Sequence, residues 1–314
     1  MTVGLITHPA CLEHDTGPMH PERPDRLRRV LQALEHADFA GLLRDLAPLA
    51  SEEQLALAHP AEYVAAILAV APEPGERVAL DADTVMSAGS REAARRAAGG
   101  AIMAVDAVMQ GTAGQVFVAT RPPGHHAEHA RPMGFCLFAN AAIAARHAQA
   151  RWGLGRVAVV DFDVHHGNGT QDIFQADPSL FYASSHQYPC YPGTGAAGER
   201  GVGNIVNVPL APGSGSAAFR AAWDGVILPA LEEFAPELLI VSAGFDAHRA
   251  DPLAQLRLEV ADFSWITARL MAVARRHCGG RLVSLLEGGY DLDALADSVA
   301  AHVRGLMEKE AVLF

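Results

Sequence analysis

Val157–Val160 is apolar at every position, then breaks into Asp161-Phe162-Asp163-Val164-His165-His166-Gly167-Asn168-Gly169. A strand that is hydrophobic on both faces belongs inside a parallel sheet covered by helices. The polar residues that end it therefore lie deep, where an unpaired carboxylate is very costly. Side chains alternate along a strand, so Asp161, Asp163 and His165 are expected on one side. A bound cation would remove the cost of burying them.

The rest of the chain extends this pattern. Strands are expected at Gly4–Thr7, Gln115–Thr120, Arg156–Asp161, Leu180–Ser184, Ile205–Val208, Leu238–Ala243 and Leu282–Leu286. Helices are expected at Pro24–Phe39, Glu62–Val70, Arg91–Gln110, Asn140–Trp152, Ala217–Phe234, Ala261–Cys278 and Leu292–Met307. Ser90 suits a helix N-cap, and Gly111, Gly153 and Gly279 suit helix ends. Such alternation implies an α/β fold with helices on both faces of a parallel sheet. No repeat and no linker divides the chain, so residues 1–314 read as one domain. The Pro/Gly-rich loops Thr120–Gly124, Tyr188–Gly203 and Pro209–Gly215 follow strands, where α/β proteins keep their sites.

Charge narrows the partners. The 24 basic and 36 acidic residues leave a net charge of −12, and no Lys/Arg run exceeds two residues. This argues against a direct nucleic-acid footprint and favours cationic partners such as lysine-rich tails or polyamines. The 4 cysteines, Cys11, Cys136, Cys190 and Cys278, are scattered without a Cys-x-x-Cys pair, as in a reduced cytoplasmic protein. Met1 to Thr7 reads as a first strand and not as a signal peptide. No apolar stretch approaches the roughly 20 residues that span a bilayer, so no membrane partner is expected. Abundant Ala and Arg with little Lys point to a GC-rich bacterium.

Four apolar strands end in polar groups: Arg121-Pro-Pro-Gly-His125-His126, Asp161-Phe-Asp163-Val-His165, Ser242-Ala-Gly-Phe-Asp246 and Glu287-Gly-Gly-Tyr290. In an open parallel sheet these ends share one rim. Asp163, His165 and Asp246 would make a one-histidine, two-carboxylate set that leaves a coordination position open for water or substrate. Oxygen-rich ligation suits Zn2+ and tolerates Fe2+ or Co2+. One Asp after a strand is an ordinary turn residue, but several ionisable groups at one buried strand end call for a function. The Pro-Pro-Gly turn would hold His125 and His126 rigidly, as a general base requires, and Asp161 is free to orient one of them. Tyr290, on a glycine-hinged strand end, is placed to stabilise an oxyanion.

These motifs together resemble the metal-dependent deacetylase family: histone deacetylases, acetylpolyamine amidohydrolases and acetoin-utilisation proteins. The resemblance runs from His20-Pro-Glu-Arg-Pro-Asp-Arg26-Leu to Glu287-Gly-Gly-Tyr290. Arg121-Pro-Pro-Gly-His-His-Ala, Met133-Gly-Phe-Cys136 and His165-His-Gly-Asn-Gly-Thr-Gln-Asp172 are similar to the class II branch and its bacterial relatives. The resemblance implies the arginase-deacetylase fold, a single domain with an eight-stranded parallel sheet flanked by helices. It implies that Asp163, His165 and Asp246 hold zinc, that His126 is general base and then general acid, and that His125 forms a dyad with Asp161. Tyr290 would polarise the acyl carbonyl. Gly134, Phe135 and Tyr191 would wall the tunnel for the lysine methylenes, and Arg26 would sit by an inner channel that lets acetate out. A structural K+ would use Asp161, the carbonyls of Asp163 and His165, and Ser184 and Ser185. Class I members carry Asp where Asn168 partners the second histidine, and Asn adds no charge to raise its pKa. One eukaryotic subgroup has His at the Tyr290 position; this chain keeps Tyr.

The implied activity is removal of acetyl or another acyl group from the Nε-amine of lysine, in a peptide or protein, with release of acetate. Acetylpolyamine or other small-amide hydrolysis by the same site is the alternative, and an inactive acyl-lysine-binding module a remoter one. An arginase-like ureohydrolase is disfavoured, because Asp246-Ala-His-Arg-Ala-Asp-Pro252 lacks a spaced second ligand pair. Polyamine-selective class II members place Glu where this chain has Leu253, so lysine peptides are expected to be preferred. Bacterial acetylpolyamine hydrolases use dimer contacts, which leaves a homo-oligomer open.

Overall fold

The computed structural model describes residues 2–308. Met1 and 309–314, the ends of the expected domain, lie outside the described residues. In chain order the strands are β1 (Val3–Thr7), β2 (Leu43–Leu46), β3 (Arg77–Ala79), β4 (Val85–Ser87), β5 (Gln115–Val118), β6 (Val157–Asp161), β7 (Leu180–Gln187), β8 (Ile205–Leu210), β9 (Leu238–Ala243) and β10 (Leu282–Leu286). The helices are α1 (Pro24–Ala33), α2 (Glu52–Leu55), α3 (Ala61–Ala69), α4 (Ser90–Gln110), α5 (Asn140–Trp152), α6 (Asn168–Phe174), α7 (Ser216–Ala222), α8 (Leu228–Phe234), α9 (Val260–His277) and α10 (Leu292–Met307). No described helix is long and apolar enough to cross a membrane.

Eight strands form one sheet in the order β2-β1-β5-β10-β9-β6-β7-β8, and every neighbouring pair is parallel. Period-2 alternation divides its side chains between two layers. Along β6, Ala158 and Val160 pack against one set of helices and Val157 and Val159 against the other. The first layer receives Leu27 of α1, Leu270 of α9 and Val299 of α10; the second receives Val64 of α3, Val105 of α4 and Ile143 of α5. Each fully buried Val or Leu contributes about 1.5–3 kcal/mol, which is what lets the rim hold polar groups at a cost.

A small polar cluster lies inside the first layer. His302 of α10 is buried, with Nδ1 2.6 Å from Thr267 Oγ1 and Nε2 2.8 Å from Ser284 Oγ. Phe117, Phe162 and Phe245 surround its ring. Burial pushes its pKa down to about 3, so it is neutral in the folded protein.

The expected α/β architecture and its eight parallel strands are present, with local differences. The eighth strand, β2, is Leu-Arg-Asp-Leu with all four residues exposed at the sheet edge, so it carries no apolar run. The helix expected over Pro24–Phe39 stops at Ala33, and Ala37–Phe39 forms a separate 3-10 turn capped by the His36 ring. The helix expected over Ala217–Phe234 contains a π-turn at Trp223–Ile227. Pro229 lacks an N–H and its ring would press on the carbonyl of Gly225, which the wider turn relieves. The short antiparallel pair β3–β4 was not expected; the segment between its strands carries Asp81, Asp83 and Thr84.

Candidate active site

Because all eight strands are parallel, their C-terminal ends meet on one rim. β5 leads to His125 and His126, β6 to Asp163 and His165, β9 to Asp246, and β10 to Glu287 and Tyr290. The ligand atoms of Asp163, His165 and Asp246 all lie within 4.8 Å of one another, and all three residues are buried. His165 Nδ1 is 3.2 Å from Asp163 Oδ1 and 3.1 Å from Asp246 Oδ2. Backbone N–H groups fix the carboxylates: Gly288 donates to Asp163 Oδ2 at 2.8 Å and Val164 to Asp246 Oδ1 at 2.8 Å. Gly288 is needed here, since a Cβ on it would run into both carboxylates. Two buried carboxylates and one imidazole, with which no Lys or Arg among the described residues forms an ion pair, suit a divalent cation with an open position.

Asp161 departs from the expectation that it shares a side with Asp163 and His165. β6 stops at Asp161, and the chain bends before Asp163, so strict alternation ends there. Asp161 Oδ2 instead accepts from His125 Nδ1 at 3.0 Å and from the Tyr182 hydroxyl at 3.1 Å. Its Oδ1 accepts from the Asp163 N–H at 3.0 Å.

The adjacent histidines stand in opposite environments. Burial opposes charge on His125, but the Asp163 and Asp161 carboxylates outweigh it and raise the pKa to about 10. His126 is held well below its usual value by burial and by the neighbouring His125 and His165. Its Nδ1 is 2.8 Å from Asn168 Oδ1, while Asn168 Nδ2 donates to Glu128 Oε1 at 2.8 Å. With its amide N–H committed to Glu128, Asn168 presents oxygen to His126. His126 Nδ1 therefore carries the proton, and Nε2 keeps its lone pair.

His126, His165 and Tyr290 line a cavity of about 220 Å3 together with Asp83, Gly134, Phe135, Tyr191 and Leu253. Tyr191 meets His126 edge-on, with centroids 5.1 Å apart, and Phe135 meets Tyr290 at 5.9 Å. Gly134 takes φ 56°, and a Cβ there would collide with the His126 ring. Asp83 Oδ1 and Thr84 Oγ1 accept from the Gly134 and Phe135 N–H groups at 3.1 Å each, which pins this wall. Burial pushes the Tyr290 phenol well above its ordinary pKa against the opposing charge of Arg26, so it remains an O–H donor. Its ring centroid is 4.8 Å from the Arg26 guanidinium carbon.

Arg26 is buried behind Tyr290 and donates to the carbonyls of Gly289 and Glu287 at 2.6 and 2.5 Å. It also pairs with Glu22 at 2.9 Å. Ser184 lies opposite Asp161 in the β6–β7 register, with its Oγ 2.9 Å from His186 Nδ1. The Ser185 Oγ faces the other layer and accepts from Trp223 Nε1 at 2.9 Å.

Sequence reasoning gave no role to several residues that the site uses. Glu287 was quoted within its motif but not assigned. Glu22 sits in a recognised motif four residues before its partner Arg26, but its second partner, Arg121, is far away in sequence. Tyr182, inside an apolar strand, carries no signal at all.

A family profile described as Histone deacetylase domain matches residues 20–306. The Histone deacetylase-like amidohydrolase of Pseudomonas aeruginosa is 45% identical over 280 residues, 86% of this chain and 72% of that protein. The Probable deacetylase of Archaeoglobus fulgidus is 38% identical over 300 residues, 93% of this chain and 82% of the other. The crystal structure of the HDA15 HD domain is similar with a TM-score of 0.91 and 37% identity, over 97% of this chain and 88% of that one. The chain belongs to the histone deacetylase family, a family of deacetylase hydrolases.

Proposed function

We propose that residues 1–314 form one catalytic domain that hydrolyses Nε-acyl-lysine, acetyl-lysine foremost, releasing acetate. The reading is supported above all by one juxtaposition: the buried Asp163–His165–Asp246 group opens onto the same narrow cavity as His126 and Tyr290. Asp163, His165 and Asp246 would hold Zn2+, with Fe2+ or Co2+ as substitutes. When bound, such an ion supplies Lewis acidity, lowering the pKa of water and polarising the acyl carbonyl.

The protein's own groups would do the rest. His126 Nε2 takes a proton from the attacking water and then returns it to the leaving amine. Tyr290 donates its O–H to the acyl oxygen as charge develops there. His125, hydrogen-bonded through Nδ1 to the Asp161 carboxylate, would support the leaving amine beside the reacting centre. Tyr191, Phe135 and Gly134 clasp the lysine methylenes and exclude water. The structural K+ belongs to this reading too, with Asp161, the carbonyls of Asp163 and His165, and Ser184 and Ser185 as its ligands. So does a bacterial cytoplasmic location.

Acetylated polyamines are the second reading, favoured by the Asp83 carboxylate on the cavity wall and the acidic net charge. The test is a turnover panel on zinc-loaded protein, with acetyl-, trifluoroacetyl- and longer-acyl-lysine peptides beside acetylated spermidine. Highest kcat/KM on a lysine peptide supports the first reading, and a preference for acetylspermidine replaces it with the second. No turnover with retained ligand binding would make the protein an acyl-lysine-binding module.

A further inference from the structure

We infer that Glu287 is a positioning residue for the histidine pair, locking the Gly124–His125 backbone from the neighbouring strand. The inference rests on the deacylase reading above. Glu287 directly follows β10 and is 1% exposed. Its Oε2 accepts from the N–H groups of Gly124 at 2.7 Å and His125 at 3.2 Å, and its Oε1 accepts from Ser242 Oγ at 3.0 Å. No Lys or Arg side chain among the described residues forms an ion pair with it, so a buried carboxylate is kept here for what it accepts. The Pro-Pro-Gly turn leaves two consecutive N–H groups pointing into the protein, and the Glu287 carboxylate, reaching across from the end of β10, accepts from both.

The other side of the loop is tied elsewhere. The His125 carbonyl accepts from the N–H groups of Gly169 and Thr170, at 3.0 and 3.2 Å. These open α6, whose first residue, Asn168, orients His126. The histidine loop is thus gripped by Glu287 at its N–H side and by α6 at its carbonyl side. The residue after Glu287 adds a second tie, because the Gly288 N–H donates to Asp163 Oδ2 at 2.8 Å. One dipeptide therefore sets the distance between the histidines and the metal-ligand group. Loss of that registry would slow proton transfer while leaving the tunnel that binds substrate in place.

Glu287→Gln separates geometry from charge. Its Oε1 can take both backbone N–H groups while its Nε2 donates to Ser242 Oγ. Glu287→Asp keeps the charge but falls one methylene short. The measurement is kcat, KM, zinc content and affinity for a zinc-chelating hydroxamate, on the zinc-loaded protein. Glu287→Ala is expected to lose at least ~30-fold in kcat, within the range that misplaced acid–base groups give. KM, zinc content and hydroxamate affinity should stay within about 3-fold, and Glu287→Gln should recover most of the lost kcat. A near-normal kcat in Glu287→Ala overturns the role, as does joint loss of zinc, hydroxamate binding and kcat. If Glu287→Ala does not fold, the order of the other two decides: Gln more active than Asp supports the role, and Asp more active than Gln overturns it. No turnover by the wild type overturns the deacylase reading and this role with it; turnover by the wild type and an unaffected Glu287→Ala overturns this role alone.

Discussion

Two groups of buried charges lie behind the same rim, and they are balanced in different ways. Glu22 is wholly buried, yet its Oε1 takes Arg26 Nη1 at 2.9 Å and its Oε2 takes Arg121 Nη2 at 2.7 Å. Burial alone would raise its pKa; the two guanidinium groups outweigh burial and bring it down to about 2. On the tunnel side lie five buried acids, Asp161, Asp163, Asp246, Asp251 and Glu287; among the described residues the first three pair with His125 or His165 alone, and the last two form no ion pair. Burial and the Asp163 charge push Asp246 up to about 7, and burial pushes Asp251 up to about 6. The first group clamps one carboxylate between two guanidinium groups and keeps a net positive charge. The second carries an excess of carboxylate that a cation would neutralise, and an excess that is kept buried marks a site.

The largest effect should come from breaking the carboxylate-rich group. Asp163→Ala is expected to abolish both metal retention and turnover, since an open site has no spare protein ligand. Full metal occupancy in that variant would put the ion elsewhere.

Breaking the arginine-clamped group should do the reverse. Glu22→Ala leaves two buried arginines without their carboxylate and should cost about 3–5 kcal/mol of stability, as buried pairs do when one partner is lost. Denaturant unfolding would show this, while metal stoichiometry stays unchanged. Lost metal binding with unchanged stability would invert the comparison.

Tyr290→Phe removes one hydroxyl between the two groups. A kcat loss on the order of 10²-fold is expected, as for one oxyanion donor, with a much smaller change in hydroxamate affinity. Near-normal turnover would make Tyr290 a rim aromatic.

A neutral buried group away from both clusters supplies the control for acid stability. The folded pKa of His302, about 3, lies below its unfolded value of 6.5. Between these values the unfolded chain binds a proton that the folded chain does not. Its contribution is therefore intact above pH 6.5 and is lost as pH falls toward 3, by up to ~1.4 kcal/mol per pH unit. His302→Gln should have a shallower loss of stability than the wild type over that window. Identical slopes would show that His302 does not remain neutral.

The smallest effect concerns the mouth of the tunnel. Leu253→Glu should move kcat/KM toward acetylspermidine by about 1–2 kcal/mol relative to an acetyl-lysine peptide. An unchanged ratio would assign cation recognition to Asp83 instead.

What the sequence disclosed follows from how local each signal is. The apolar run of β6 and its abrupt end are local, so they placed a buried parallel strand and a polar rim. Asp163, His165 and Asp246 come together because parallel strands share a rim, and that follows from topology. The side on which Asp161 lies did not follow, because alternation holds only while the strand continues and β6 stops at that residue. β2 was missed because an exposed edge strand buries nothing and so needs no apolar pattern. Glu22 and Glu287 were legible as residues but not as parts of anything. Arg26 lies one helical turn from Glu22, but Arg121 and the Gly124–His125 backbone meet these carboxylates only through tertiary packing.

The central claim is that the excess of buried carboxylate beside the tunnel is the seat of one catalytic ion. The direct measurement is a titration of metal-stripped protein with Zn2+, following bound metal and turnover of an acetyl-lysine peptide together. The account predicts that turnover rises from none and saturates at one ion per chain. Saturation at two tightly bound ions, or turnover in the metal-free protein, would contradict it.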